Sequence, residues 1–382
     1  MKLKKLLIYS IFTLIFFTGC WDKIEIENRA FVLSLGIDKF TSGSGIDVSS
    51  EKNIVNRFAV SISMPQLLDQ PDQSDENTNR LKTSASATIS SAMDFSDSIS
   101  SQKLFFGHTK LAVLGEEILK NRQLFRETVD ALERNPEISR KILVMSTDKS
   151  ARDILGFKES IEPVSIFISN FYKNNVDGSA VTFKQTLENL VLDLRTAGNT
   201  IIPKVSIIED SLNIGGAAII KDFEFVDWLN SEEMRGYLFV KESALNANII
   251  TRFEDTFVPL DVTKNKTKIH FVEDETGENL ICYIFIDVHG VVDEFTFTEE
   301  SLATEKNLSD LSYLYKTIIE REVNACLSKF SKHDIDGLFL KEFLRKQNFS
   351  LYEKYAYRDD FFDIFKIIPI AEVAVEGTGS VI

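Results

Sequence analysis

The stretch "RAFVLSLGID", residues 29–38, has the apolar density of a β-strand and closes with Gly36 and Asp38. A loop-like segment, "TSGSG" at 41–45, follows it, and "NRFAVSISMP" at 56–65 then alternates between apolar and polar residues. Two such runs on either side of turn-forming residues indicate neighbouring strands, and a proline suits the end of the second one. The first folded part of the chain is therefore predicted to be a hairpin-like pair of strands.

Farther along, predicted helices and strands are mixed. Residues 81–101 place apolar side chains at three- and four-residue steps, which is typical of one face of a helix. The run "KLFFGHTKLAVLG" at 103–115 is dense in apolar residues and predicts a strand, whereas the acidic, turn-rich residues 66–80 predict an exposed loop. This mixture indicates an α+β or α/β layer for the N-terminal region.

The pattern changes near residue 198, where strand-like runs are separated by glycine and proline. Beyond residue 262 come a strand-rich segment containing "ENLICYIFIDVHGVVDEF", a long helix at roughly 299–328 and a closing strand. The predicted fold class is α+β, with three mixed α/β domains whose sheets are antiparallel or mixed. The predicted divisions are a signal peptide at 1–19, an N-terminal α+β domain at 20–197, a small middle domain at 198–260 and a C-terminal α+β domain at 261–382.

The extreme N-terminus has the parts of an export signal. Lys2, Lys4 and Lys5 precede an apolar run at residues 6–17, and Thr18-Gly19-Cys20 follows it. As a helix the run would reach about 18 Å, short of the roughly 30 Å hydrocarbon core of a bilayer. Small residues directly before a cysteine resemble a lipobox, which predicts cleavage before Cys20 and a covalent diacylglycerol on its sulfur, with or without an N-acyl group. A plain secretory signal and an uncleaved anchor helix are the alternatives.

Composition excludes one class of partner and leaves the cysteines open. The chain of 382 residues has a formal net charge of -15, which is unsuited to binding nucleic acid because such binding needs clustered Lys and Arg. Cys282 lies in an apolar strand and Cys326 in a helical run. Both are predicted to be buried thiols, and a disulfide between them remains an alternative for an exported protein.

No pattern of catalytic or metal-ligating residues emerges. The four histidines do not share a helix face at metal-ligand spacing, and no motif typical of hydrolases, nucleotide binding or zinc proteases is present. Cys282 and His289 are predicted to lie on opposite faces of one strand, because their separation is odd. Asp334 and Asp336 are predicted to cap a helix. We therefore expect a protein that is not an enzyme and that has no cofactor and no metal.

Several stretches resemble a known family in order along the chain. "TGCWDKIEIENRAFVLSLGIDKF" looks like the start of the mature C-subunit lipoproteins of spore germinant receptors, the Ger(x)C family. "LFFGHTKLAVLGEEILKN" and the segment with "NIGGAAII" and "MRGYLFV" are similar to later parts of that family, as are "HDIDGLFLKEFLRKQ" and the closing "AEVAVEGTG". The residues of this sequence that match the family motifs are Cys20, Trp21, Asp22, Gly36, Asp38, Gly107, His108, Gly115, Gly215 and Gly216.

The resemblance implies a role as well as a fold. It implies a non-enzymatic subunit that is attached by lipid to the outer face of the cell membrane or of the inner spore membrane. There it would assemble with the membrane-embedded A and B subunits into a receptor that responds to nutrients. Cys20 would carry the lipid, and the other motif residues are expected to be structural. The alternative function from a different class is a solute-binding lipoprotein of a transporter, which would have two similar α/β lobes, and a cell-wall hydrolase is a third hypothesis.

Overall fold

The computed structural model describes residues 28–43, 45–48, 55–65, 79–157, 162–175, 180–292, 304–358 and 361–378. The strands of the N-terminal half are β1 (Arg29–Phe31), β2 (Ser34–Lys39), β3 (Asp47–Val48), β4 (Phe58–Pro65), β5 (Asn79–Ser86), β6 (Lys103–Phe105), β7 (Leu111–Leu114) and β8 (Leu143–Ser146). Those that follow are β9 (Asn199–Ile208), β10 (Ser211–Lys221), β11 (Glu224–Leu229), β12 (Asn248–Phe253), β13 (Thr256–Glu273), β14 (Leu280–Val292) and β15 (Phe365–Thr378).

Helices are interspersed with these strands. In chain order they are α1 (Ile89–Ser98), α2 (Glu116–Leu119), α3 (Arg122–Arg134), α4 (Ala151–Leu155), α5 (Val164–Asn174), α6 (Leu187–Thr196), α7 (Ser231–Val240), α8 (Glu305–Lys332), α9 (Leu340–Gln347), α10 (Phe349–Tyr355) and α11 (Phe361–Ile364). The predicted α+β class with mixed sheets is confirmed. Among the helices that the structure describes, none combines the length and the apolar composition that crossing a bilayer requires.

A nine-stranded mixed sheet, in the order β11-β10-β9-β8-β7-β2-β4-β5-β3, organises the N-terminal half. Strands β2 and β4 are antiparallel, with Ser34 opposite Ser63 and Lys39 opposite Phe58, so the predicted pairing is confirmed for β2. Residues 29–31 of the same predicted strand form β1, which belongs to a different sheet. At the centre, β2, β7 and β8 run parallel to one another. The carboxyl ends of these strands therefore meet at one edge of the sheet, which is where loops and helix termini can converge.

The segment 103–115 is not the single strand that its apolar density predicts. It divides into β6, a 3-10 turn at Phe106–His108 and β7. Strand β6 pairs with β1 in a separate two-stranded sheet, whereas β7 lies between β2 and β8 in the large sheet. The interruption follows from these two different sets of hydrogen-bonding partners, which a local pattern does not contain.

A second sheet, in the order β12-β13-β14-β15, forms the C-terminal half together with the long helix α8. Its first three strands are antiparallel, and β15 joins β14 in parallel. Side chains alternate along β14: Cys282 faces the core, while His289 lies on the outer face, as the odd spacing predicts.

The predicted middle domain, 198–260, divides between the two halves. Strands β9 to β11 extend the nine-stranded sheet, whereas α7 and β12 pack in the core of the C-terminal half. The predicted boundary at 260/261 also falls within β13. On β9, Ile202 faces the N-terminal core and Ile201 the C-terminal core, because successive side chains of a strand point to opposite faces. These middle strands are shared by two cores.

Candidate functional site

The first three motif residues, Cys20, Trp21 and Asp22, lie outside the described residues, as does most of the predicted loop at 66–80. Lipidation of Cys20 therefore stays a prediction. The remaining motif residues lie at three places in the fold: near the start of α4, in the turn after β6 and in β10.

Asp38 lies near the end of β2 and caps helix α4. Its carboxylate accepts hydrogen bonds from the Ser150 hydroxyl at 3.0 Å, the Ala151 backbone N–H at 2.8 Å and the Arg152 backbone N–H at 3.0 Å. Burial raises the pKa of the Asp38 carboxyl, and these hydrogen bonds oppose the rise. The first N–H groups of a helix have no partner within the helix, and the Asp38 carboxylate accepts from two of them. Asp38 and the start of α4 are more than a hundred residues apart in sequence.

Gly36 and Gly115 leave the room that this arrangement needs. A Cβ on Gly36 would lie 3.1 Å from Leu155 Cδ1 and 3.2 Å from Ala151 Cβ, so the strand and α4 pack closely there. Gly115 is the N-cap residue of α2, and a Cβ on it would collide with Asp38 Oδ1. The structure thus brings Gly36, Asp38 and Gly115 together at the carboxyl ends of β2 and β7.

Gly107 and His108 lie elsewhere, in the 3-10 turn that follows β6. The exposed His108 ring meets Phe31 edge-on, with ring centroids 5.1 Å apart, and lies 5.5 Å from the Phe105 ring. The Arg29 guanidinium lies over the other aromatic partner, 4.9 Å from the Phe105 centroid. These contacts form a small surface cluster on the two-stranded sheet, just after the point where the described chain begins.

Gly215 and Gly216 form a bulge in β10, where the pairing with β9 shifts between Ile214 and Ala217. The two glycines differ in what a side chain would meet. Gly216 has φ +73°, and a Cβ there would collide with the Leu229 carbonyl oxygen of the neighbouring strand. A Cβ on Gly215 would make only ordinary contacts, the nearest at 3.7 Å.

This difference gives a first testable prediction. Gly216→Ala is expected to lower the free energy of unfolding by about 2 kcal/mol, because an L-residue is strained at positive φ and its methyl group would press on backbone. Gly215→Ala, the adjacent matched control, should change it by less than about 0.5 kcal/mol. Urea unfolding of the full-length protein in detergent micelles, followed by circular dichroism, measures both. Equal losses for the two variants would contradict the interpretation.

One site that sequence reasoning missed joins α7 to α8. Arg235 donates to the Glu322 carboxylate through Nε at 2.7 Å and through Nη2, and the Glu322 side chain is fully buried. The Glu322 carboxylate holds the pKa of the Arg235 guanidinium above its usual range. Beside it, a Cβ on Gly236 would lie 2.5 Å from the Glu322 carbonyl carbon and 2.8 Å from the Val323 nitrogen. The Arg-Gly pair is present in the quoted family segment, but nothing local identifies its partner.

The remaining reactive groups belong to the cores. Cys282 and Cys326 are free, buried thiols in the C-terminal core, and burial raises the pKa of both. Within the described ranges, no group of three or more His, Cys, Asp or Glu side chains is arranged to hold a metal ion. Of the two aspartates predicted to cap a helix, Asp336 caps α9, because its carboxylate accepts from the Leu340 and Lys341 backbone N–H groups at 2.7 and 2.8 Å. Asp334 does not take part in this cap and has a positive φ of 52°.

Comparison with known proteins connects this arrangement to one family. Residues 22–207 match the model of the spore germination protein N-terminal domain. Residues 215–379 match the spore germination B3/GerAC-like C-terminal model. The junction between the two matches lies within the β9–β10 region, where the largest cores of the two halves meet.

Curated relatives and a solved structure agree with these matches. Spore germination protein YndF of Bacillus subtilis (strain 168) is 23% identical over 335 residues, covering 82% of this chain and 80% of the relative. From the same organism, spore germination protein B3 is 23% identical, covering 88% and 87%, and spore germination protein KC is 22% identical, covering 87% and 84%. The crystal structure of the GerBC protein superposes with a TM-score of 0.59 at 17% identity, covering 85% of this chain and 96% of that one.

The fold is thus that of the GerBC protein, and both family models match in the expected order along nearly the whole chain. The resemblance to the Ger(x)C family is confirmed: the chain belongs to the GerAC-like family of spore germination proteins, the C-subunit family of germinant receptors.

Proposed function

We propose that this protein is a lipid-anchored, non-enzymatic subunit of a nutrient germinant receptor and that it assembles with membrane-embedded A and B subunits. The observation that carries the proposal is the pair of family matches, which begins at residue 22, two positions after the lipobox cysteine. A lipidated Cys20 would then leave almost no chain between the acyl groups and the family domain. The proposed location is the outer face of the cell membrane or of the inner spore membrane.

Electrostatics supports attachment through lipid. The chain has a formal net charge of -15, and removal of the leader would remove Lys2, Lys4 and Lys5 as well. A strongly acidic body is repelled by anionic headgroups. Stable attachment would therefore depend on acyl chains that enter the bilayer, and two or more chains hold a protein far better than one.

We propose no reaction for this chain. The Asp38 carboxylate already accepts three hydrogen bonds from residues at the start of α4. Arg235 and Glu322 are paired with each other between α7 and α8. These groups position elements of the fold. The alternative of a transporter's solute-binding lipoprotein expects two similar α/β lobes, whereas here a nine-stranded mixed sheet is joined to a four-stranded sheet with one long helix.

The test of the proposal is Cys20→Ala in the organism that makes the protein. The variant is expected to lose the lipid, to leave the membrane fraction and to abolish the germination response to the nutrient of its receptor. Metabolic labelling with a fatty acid, fractionation and the fall in optical density of a spore suspension measure the three effects.

Cys326→Ala is the matched control, because it removes a buried thiol from the core and leaves the anchor intact. It should stay membrane-bound and support germination. A Cys20→Ala protein that remains fully in the membrane fraction and germinates normally would overturn the proposal. Cross-linking of the native protein to its membrane neighbours tests the assembly separately. If neither an A nor a B subunit is found in any cross-linked product, that result counts against the assembly.

A further inference from the structure

A cavity of about 720 Å³ lies where the two halves of the protein meet. We call it the junction cavity. The N-terminal half supplies the end of α6 and the residues that follow it, including Asp193 and Gly198, while the C-terminal half supplies Lys241, Asp336 and Lys341. Aromatic side chains, among them Phe339 and Phe362, provide apolar surface beside these charged groups. The volume of the junction cavity suits a small organic molecule.

Lys241 reaches this cavity from the end of α7 and is partly buried. Its ammonium donates one long hydrogen bond to the Leu338 carbonyl, at 3.3 Å, and lies 5.2 Å from the Phe339 ring centroid and 5.8 Å from that of Tyr237. An ammonium group has three N–H donors. Burial lowers the pKa of Lys241, while the charges of Asp193 and Asp336 oppose that change.

Lys341 lines the same cavity from α9. Its ammonium donates to the Ala356 carbonyl at 3.2 Å and lies 4.2 Å from the centroid of the Phe361 ring. Burial also lowers the pKa of this lysine. Among the described residues, the hydrogen bond of each ammonium goes to a backbone carbonyl and not to a carboxylate, so each ammonium keeps donors that a ligand can use.

Five carboxylates line the cavity, and the two whose charges act on the lysines, Asp193 and Asp336, are already engaged. Asp336 accepts from two backbone N–H groups of α9. Asp193 accepts from Gln185 at 3.0 Å and from Thr200 at 2.8 Å. Glu342 is paired with Arg345 and Lys346. The pKa of the Glu342 carboxyl is lowered to about 2, mainly by the hydrogen bond from Arg345. Asp222 and Asp334 also line the cavity, but their charges are not among those that act on Lys241 and Lys341. Close to the two lysines, ammonium donors are therefore in excess over free acceptors.

From this imbalance we propose that the junction cavity binds a small organic anion. Its carboxylate or phosphate group would accept hydrogen bonds from Lys241 and Lys341, and its apolar part would pack against the phenylalanine rings. Partly desolvated ammonium groups interact with an anion more strongly than exposed ones do, since water competes less for them. Because the lining comes from both halves, such a ligand would hold them together and raise the temperature at which the protein unfolds.

The experiment is titration calorimetry on the full-length protein in detergent micelles. The probes are benzoate, phenyl phosphate and the neutral isostere benzamide. Saturable binding of at least one anion, about tenfold or more tighter than binding of benzamide, is the expected result. Comparing benzoate with phenyl phosphate identifies the preferred acidic group, and competition by inorganic phosphate shows whether the acidic group alone suffices.

Variants locate the site. Lys241→Met and Lys341→Met keep much of the apolar stem and remove the charge, and each is expected to weaken anion binding by about tenfold or more. Lys306→Met, at the exposed start of α8, is the control and should bind as the original protein does. Near-ultraviolet circular dichroism verifies that each variant is folded.

The proposal is overturned if the folded original protein binds neither anion at millimolar concentration, or binds benzamide as tightly as benzoate and phenyl phosphate. It is equally overturned if both folded methionine variants bind with unchanged affinity, which would place the anion elsewhere. If a methionine variant does not fold, the comparison of charged and neutral probes on the original protein decides alone. None of these outcomes depends on lipidation or on germination, so this proposal can fail while the receptor-subunit proposal stands.

Discussion

Replacing Arg235 with methionine is expected to lower the free energy of unfolding by about 3–5 kcal/mol. The substitution leaves the Glu322 carboxylate fully buried on α8 without the guanidinium that donates to both of its oxygens. A buried charge that has lost its partner costs far more than the intact pair contributes. Urea unfolding of the full-length protein in detergent micelles measures the loss, with intrinsic fluorescence as the signal.

Two companion variants separate this explanation from a general loss of packing. The double variant Arg235→Met with Glu322→Met removes both charges and is expected to recover most of the lost stability, because an apolar pair of similar volume can replace a buried ion pair. Arg235→Lys keeps the charge but cannot form the bidentate contact. Its free energy of unfolding should therefore lie between those of the original protein and Arg235→Met. A double variant as unstable as the single one would contradict the argument.

Replacing Gly236 with alanine is expected to cost about 3 kcal/mol, at the upper end of the usual range for overpacking. The added methyl group would press on the Glu322 carbonyl and the Val323 nitrogen, which are backbone atoms and cannot rotate away. Helix α7 would have to move from α8, and this outweighs the gain of up to about 1 kcal/mol that alanine brings to a helix. Differential scanning calorimetry against the original protein checks it.

Gly215→Ala is the control for this prediction too, because it adds the same methyl group where the nearest atom would be 3.7 Å away. A variant at Gly236 that unfolds at the original temperature would show that the helices can separate without loss. Gly236→Leu should then be tried, since its larger side chain sets a stricter test of the same contact.

Local patterns were sufficient for much of the secondary structure. The helix predicted over 81–101 is wrong at its start, because Asn79–Ser86 form β5 and the helix α1 covers Ile89–Ser98. The pairing of β2 with β4, the apolar strand around Cys282 and the cap at Asp336 are confirmed, although residues 29–31 of the first predicted strand pair with β6 in a separate sheet. Each depends on information within about ten residues, such as alternation along a strand or a side-chain oxygen near a helix start. The helix predicted at roughly 299–328 is observed as α8, Glu305–Lys332, and helix ends are commonly uncertain by a few residues.

The division into domains depended on distant contacts. A composition change near residue 198 suggested a separate middle domain, yet β9 and β10 are strands of the large sheet with a different core on each face. A strand that is buried on both faces reads as a continuous apolar run, which indicates burial but not the number of cores that produce it. The apolar run at 103–115 likewise indicates burial but does not show that its two ends, β6 and β7, belong to different sheets.

The motif residues divide in the same way. Gly36, Asp38 and Gly115 were singled out in sequence, and the structure explains them by their convergence on the start of α4. Glu322 was not singled out, because its partner Arg235 lies 87 residues away and each is one of several charged residues in its own helix. The serine before α4, a common N-cap residue, was the one local signal that could have identified the partner of Asp38.

By itself, the sequence determined the α+β class, the order of most elements, the family and the lipobox hypothesis, because these depend on periodicity, composition and motif order along the chain. Only the tertiary structure decided that β9 and β10 serve two cores, that Asp38 caps α4, that Arg235 pairs with Glu322 and that a cavity lies at the junction. These features are contacts between residues far apart in sequence, and their free energy exists only when packing brings the partners together and excludes water.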